Sequence, residues 1–180
     1  MEPILELVDT VKQARTELLD AVAGWSTEQG AFKPCADEWS ASQIVEHVYN
    51  SEFRVINTLW KGIDGLKTNR PIWCGEPVNR GARVEALVAK LAGGKFKSPE
   101  AVEPKVGGPL LFWCSALDAC QLPLSRLGSA LQDVDQEAIF YPHFLLGPLD
   151  ANQWFQFVGR HLHRHRCQIE RLRGCEDFPA

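Results

Sequence analysis

The chain has 180 residues, enough for one domain or for one domain with an elaborated connection. Its 45% hydrophobic and 23% charged residues are ordinary for a folded globular protein, and a net charge of −4 gives no global basic field for nucleic acid or an anionic membrane. A chain of this size buries roughly 70% of its unfolded surface, so it needs neither disulfides nor a metal to stay folded. A metal site here would therefore serve function.

The N-terminal segment MEPILELVDTVKQ reads as an amphipathic helix over about residues 3 to 23. Ile4, Leu7, Val8, Val11, Leu18 and Val22 fall at helical spacing, with Pro3 suited to the first turn. Its early acid and broken apolar run are not those of a secretory signal. No stretch approaches the ~18 uninterrupted apolar residues of a membrane span. The six cysteines, Cys35, Cys74, Cys114, Cys120, Cys167 and Cys175, form no CxxC pair. They read as reduced thiols of a cytoplasmic protein, with Cys114 and Cys120 as small core residues.

A second helix is expected over about 41 to 63. Ser40-Ala-Ser-Gln43 forms a capping box, with Trp39 and Ile44 as a hydrophobic staple. A connection of about 64 to 108, studded with glycine and proline, follows. It is too long to be structureless, and Val84, Leu87, Val88 and Leu91 predict a short helix between Arg83 and Leu91. Such a crossover lets consecutive bundle helices run parallel. The third pattern spans about 109 to 132 through Leu110, Trp113, Leu117, Leu124, Leu127 and Leu131, with a kink or break expected from Pro123. The fourth covers about 151 to 173, capped by Asp150 with Gln153 and stapled by Leu149 against Trp154. Nothing alternates at period two. The reading is all-α: a four-helix bundle in one domain, 1–180, with the 64–108 crossover between its second and third helices.

The histidines carry the chemistry. One face of the fourth helix presents Trp154, Phe157, His161, His165, Gln168 and Leu172, which places two imidazoles on the core stripe with Cβ atoms about 5–6 Å apart. His163 lies off that stripe. On the second helix His47 sits on or beside the inward stripe of Ile44, Val48, Val55 and Leu59. An HxxxH pair also arises by chance on helix surfaces. On a core face, however, each unpaired imidazole costs roughly 1–3 kcal/mol, and coordination satisfies both rings at once. Three imidazoles with an open fourth position form the catalytic rather than the structural zinc pattern. Gln168, one turn beyond His165, suits a hydrogen-bond partner of a ligand or a solvated core edge. His143, in the loop Tyr141-Pro142-His143-Phe144, suits the mouth of the site or, preferably, a histidine satisfied within its own loop. Glu46 and Glu52 would act as a base only if the helix were rotated from this placement. Arg160, Arg164, Arg166, Arg171 and Arg173 read as a solvated outer face near a helix C-terminus. No catalytic residue is assigned.

The segment Trp39-Ser-Ala-Ser-Gln-Ile-Val-Glu-His47 resembles the start of the second helix in the DinB/YfiT-like metalloenzyme family, where a Trp-Ser/Thr entry precedes the first ligand. Pro142 through Gly147 to Leu149, then Trp154 and His161-Leu-His-Arg-His165-Arg-Cys-Gln168-Ile169, is similar to that family's final loop and helix. The likeness runs through the whole chain in helix order, crossover included. It implies a four-helix bundle in which His47, His161 and His165 bind one divalent metal ion, zinc or nickel first, with iron or copper as further candidates. It also implies a homodimer and a small-molecule substrate such as a low-molecular-weight thiol, because members of known activity include thiol-dependent transferases and isomerases. The expected activity is of thiol-S-transferase or hydrolase type. Neither nucleic acid nor membrane is an expected partner. The competing expectation is a metal-binding or stress-related interaction module without turnover, which a closed or shallow site would favour. A di-iron bundle is disfavoured because paired Glu-x-x-His motifs are absent.

Overall fold

Three helices start on the same reciprocal cap. Ser40 accepts from the Gln43 amide while the Gln43 side chain accepts from the Ser40 amide, which opens α3 (Ala41–Lys67). Asp150 and Gln153 do the same at the start of α7 (Ala151–Arg173). Ser26 and Gln29 repeat the device on a one-turn helix that the apolar periodicity did not reveal, α2 (Thr27–Ala31). Each box satisfies two amides that the helix itself leaves without partners. These features come from a computed structural model that describes residues 2–91, 94 and 96–180.

The remaining helices are α1 (Ile4–Ala21), α4 (Val84–Ala89), α5 (Leu110–Ala119) and α6 (Gln121–Leu131). Pro3 caps α1 from outside the helix rather than sitting in its first turn. The crossover contains α4 as expected, and also a 3₁₀ turn over Glu100–Val102. Ala92, Gly93 and Lys95 of this connection lie outside the described residues. The single helix expected over 109 to 132 is two helices meeting at Cys120, one turn before Pro123. Proline has no N–H for the carbonyl four residues back and its ring crowds that group, so the break falls ahead of it.

A second departure is a two-stranded antiparallel hairpin of β1 (Phe140–His143) and β2 (Gly147–Asp150), leading directly into α7. Its strands are four residues long and place Pro142 opposite Pro148. Neither proline can donate, so that pair occupies a non-hydrogen-bonded position of the ladder. Gly147 takes the positive φ of 79° that closes the turn.

α1 lies along α7, while α3 packs against α5, α6 and α7. Val11, Leu18, Ile44, Leu59, Leu117, Leu127, Phe155 and Leu162 are almost wholly buried between them. α3 comes so close to the segment before β1 that a Cβ on Gly62 would meet Ile139 Cγ2 at 2.4 Å. Gly62→Ala should therefore cost about 1–3 kcal/mol through overpacking, read as a lower urea midpoint at unchanged m value. Among the described residues no helix is long and apolar enough to cross a membrane.

Candidate metal centre

The cap of α3 fixes the phase of that helix and so sends His47 inward; the cap of α7 does the same for His161 and His165. The three rings meet. His47 Nε2 lies 3.1 Å from His161 Nε2, and His165 Nε2 lies 3.1 Å from the same atom. All three nitrogens fall within 4.8 Å of one another, with His47 and His165 buried and His161 half-buried.

Protonation at the back of each ring explains why this meeting matters. His47 Nδ1 donates to the Val102 carbonyl at 2.8 Å, and His165 Nδ1 donates to Gln168 Oε1 at 3.0 Å. Oxygen acceptors of this kind fix the tautomer with the proton on Nδ1 and the lone pair on Nε2. His161 Nε2 carries at most one proton and can offer it to only one neighbour. At least two lone pairs thus point into one small space, where Arg164 Nη1 reaches that of His165 at 3.3 Å and a cation would engage the three nitrogens together. Nitrogens each 2.0–2.1 Å from a shared ion stand roughly 3.0–3.4 Å apart at ordinary bond angles, and the observed spacing fits.

Burial also keeps the rings neutral, the form that coordinates. It pushes His165 down to about 3, with help from His47 and the Arg164 guanidinium, while the Gln168 hydrogen bond opposes the shift. Burial lowers His47 too; the bond to Val102 pulls back and Arg164 adds to the lowering. His161 falls well below its usual value through burial and then through its histidine neighbours. Trp39 lies against His47 at 4.9 Å and Phe157 stacks on His161 at 5.4 Å, giving the centre apolar flanks.

The other candidates separate cleanly. Gln168 touches His165. His143 stands apart at the end of β1, not in a loop: its ring packs on Phe157 at 4.5 Å and its Nδ1 accepts from the Leu145 and Leu146 amides, both at 3.2 Å. Burial holds it at about 4. Glu46 accepts the Val106 and Gly107 amides at 2.7 and 3.0 Å, fastening the crossover onto α3. Glu52 is bonded to Arg15. Neither carboxylate is free to act beside His47. Exposed His163 approaches Cys167 Sγ at a long 4.0 Å. All six cysteines are free thiols, and burial pushes Cys114 to about 11 and Cys120 to about 12. Sequence reasoning missed Val102, whose contribution is a backbone carbonyl and leaves no side-chain signal.

An open cleft of about 480 Å³ adjoins the triad. Three residues of its lining touch the histidines: Trp39 packs on His47, Gln168 bonds His165, and Arg164 Nη1 comes within 3.3 Å of His165 Nε2.

The sequence model of the DinB superfamily matches residues 10–169. Uncharacterized protein YuaE of Bacillus subtilis (strain 168) is 24% identical over 164 residues, covering 89% of this chain and 93% of that one. No solved structure matches significantly.

Proposed function

Since the chain belongs to the DinB superfamily, we propose that His47, His161 and His165 hold one divalent metal ion and that the protein is a metal-dependent enzyme of thiol-S-transferase or hydrolase type. The observation that carries this reading is the convergence of three Nε2 atoms, with His161 Nε2 at 3.1 Å from each of the other two. Zinc or nickel suits three imidazoles, and the superfamily resemblance puts these two ahead of iron and copper.

The chain's own residues have definite parts in this reading. Val102 and Gln168 hold the back nitrogens of two ligands and set their lone pairs forward, as outer hydrogen-bond partners of metal ligands do. Trp39 and Phe157 shield the rings from bulk water. Arg164, at the mouth, presents a guanidinium toward any anion that enters. A bound metal would supply a lowered pKa for a water or thiol at its open position.

The second reading, a metal binder without turnover, draws on one observation. Both carboxylates flanking His47 are engaged elsewhere, so a general base is not at hand on α3. The test begins with elemental analysis of untagged protein, where about one metal ion per chain is expected. It continues with small thiols offered together with electrophiles. Metal-dependent product supports the enzyme; stoichiometric metal with no product across the panel leaves the binder. Absence of bound metal, even after reconstitution with zinc or nickel, would defeat both.

A further inference from the structure

The arginines of α7 are mostly exposed, as expected, but two of them are engaged by neighbouring helices. Arg160 pairs with Glu85 of α4 at 3.0 Å, and Arg166 pairs with Glu17 of α1 at 2.5 Å, so both tie α7 to its neighbours. Arg164 and Arg171 differ. Among the described residues neither forms an ion pair. They stand two helical turns apart, hence on one face of α7, and both line the cleft beside the triad.

The loop across the cleft brings Asp37 and Glu38 into the same lining, and these carboxylates also lack ion-pair partners among the described residues. Two charged walls of opposite sign thus share one cavity without pairing across it. Trp39 and Leu172 add apolar lining. The triad reinforces the polarity at one side. Its three donors are neutral imidazoles, so an ion held there would keep its full charge, with Arg164 already alongside. That side calls for an anion.

We propose that the cleft binds a small zwitterion of the amino-acid type, its carboxylate on Arg164 and Arg171 and its ammonium toward Asp37 and Glu38. This deepens the proposed function by naming the charge class of its substrate, and for the placement of the anionic end it rests on that reading. Charge-assisted contacts to a planar guanidinium pair suit a carboxylate, and the opposite wall selects against ligands that are purely anionic.

The test uses four small thiols that carry both charged groups, one of them or neither: L-cysteine, 3-mercaptopropionate, cysteamine and 2-mercaptoethanol. Each is titrated by NMR into metal-free and metal-supplemented protein, with metal content measured in parallel. L-Cysteine should bind tightest in both forms. Arg171→Gln, which touches none of the histidines, should weaken L-cysteine and 3-mercaptopropionate by about fivefold and leave cysteamine unchanged. Glu38→Gln should weaken L-cysteine and cysteamine by a similar factor and spare 3-mercaptopropionate. Equal affinity for all four thiols, or variants that discriminate nothing, overturns the proposal. A protein that takes up no metal yet keeps this ranking would sink the metal centre and leave the cleft's selectivity standing. A metal-loaded protein with a flat ranking would do the reverse.

Discussion

Replacing His161 with alanine is expected to abolish stoichiometric metal binding, with an affinity loss beyond the roughly 10–100-fold that follows removal of a ligand's outer hydrogen-bond partner. His161 is the common neighbour: its Nε2 lies 3.1 Å from the Nε2 of both His47 and His165, which are not each other's hydrogen-bond partners. His47→Ala and His165→Ala should also fall below stoichiometric loading, and Gln168→Ala should sit between them and the parent. Stability gives a second readout. A ligand held a thousandfold above its dissociation constant stabilises the folded chain by about 4 kcal/mol. Zinc or nickel should therefore raise the parent's melting temperature markedly and leave the three alanine variants where they were. Under chelator the metal-induced gain should vanish from the parent, leaving between it and His161→Ala only the cost of truncating the packed His161 ring. Full loading of all three alanine variants would remove the centre from consideration.

The parts of the molecule legible beforehand are those where side chains carry the instruction. Ser40 with Gln43 and Asp150 with Gln153 mark helix starts because the cap is made by side chains of fixed spacing. From those starts the phase of each helix follows, and with it the inward placement of His47, His161 and His165. What escaped notice depends on backbone groups or on very short elements. The hairpin places a proline in each four-residue strand, which erases any alternating pattern. α2 has one turn and buries only Gly30 fully, so it shows no apolar stripe despite its cap. The acceptor for His47 is a carbonyl on a 3₁₀ turn in the crossover, and Glu46 works by receiving two crossover amides. No residue type in 64–108 announces either contact. The break ahead of Pro123 was foreseeable in kind, and its place follows from which carbonyl the proline leaves unserved.

Glu52→Leu should destabilise the fold by about 3–5 kcal/mol, and adding Arg15→Met should recover most or all of that loss. Arg15 on α1 and Glu52 on α3 are 2% and 1% exposed, so neither charge has water to fall back on. The guanidinium bonds both carboxylate oxygens and also donates to Gln121 of α6, joining three helices. Burial nevertheless raises Glu52 above its ordinary 4.5, with Arg15 opposing through its charge and its hydrogen bonds. Desolvation therefore outweighs pairing in setting the direction of that shift. The sign of the pH dependence follows. Between 4.5 and the raised folded value the native chain holds a proton the unfolded chain has lost, so Glu52's contribution declines as pH rises through that window. The two single variants should then be unequal. Arg15→Met leaves a carboxyl that can protonate, and half-buried Gln121 can turn toward Ser125, to which it already donates at 2.9 Å. Glu52→Leu strands a guanidinium that stays charged at any working pH. Urea unfolding of the parent, both single variants and the double variant measures the coupling directly. Costs that simply add would mean the two groups do not sense each other, and the recovery expected of the double variant would not occur.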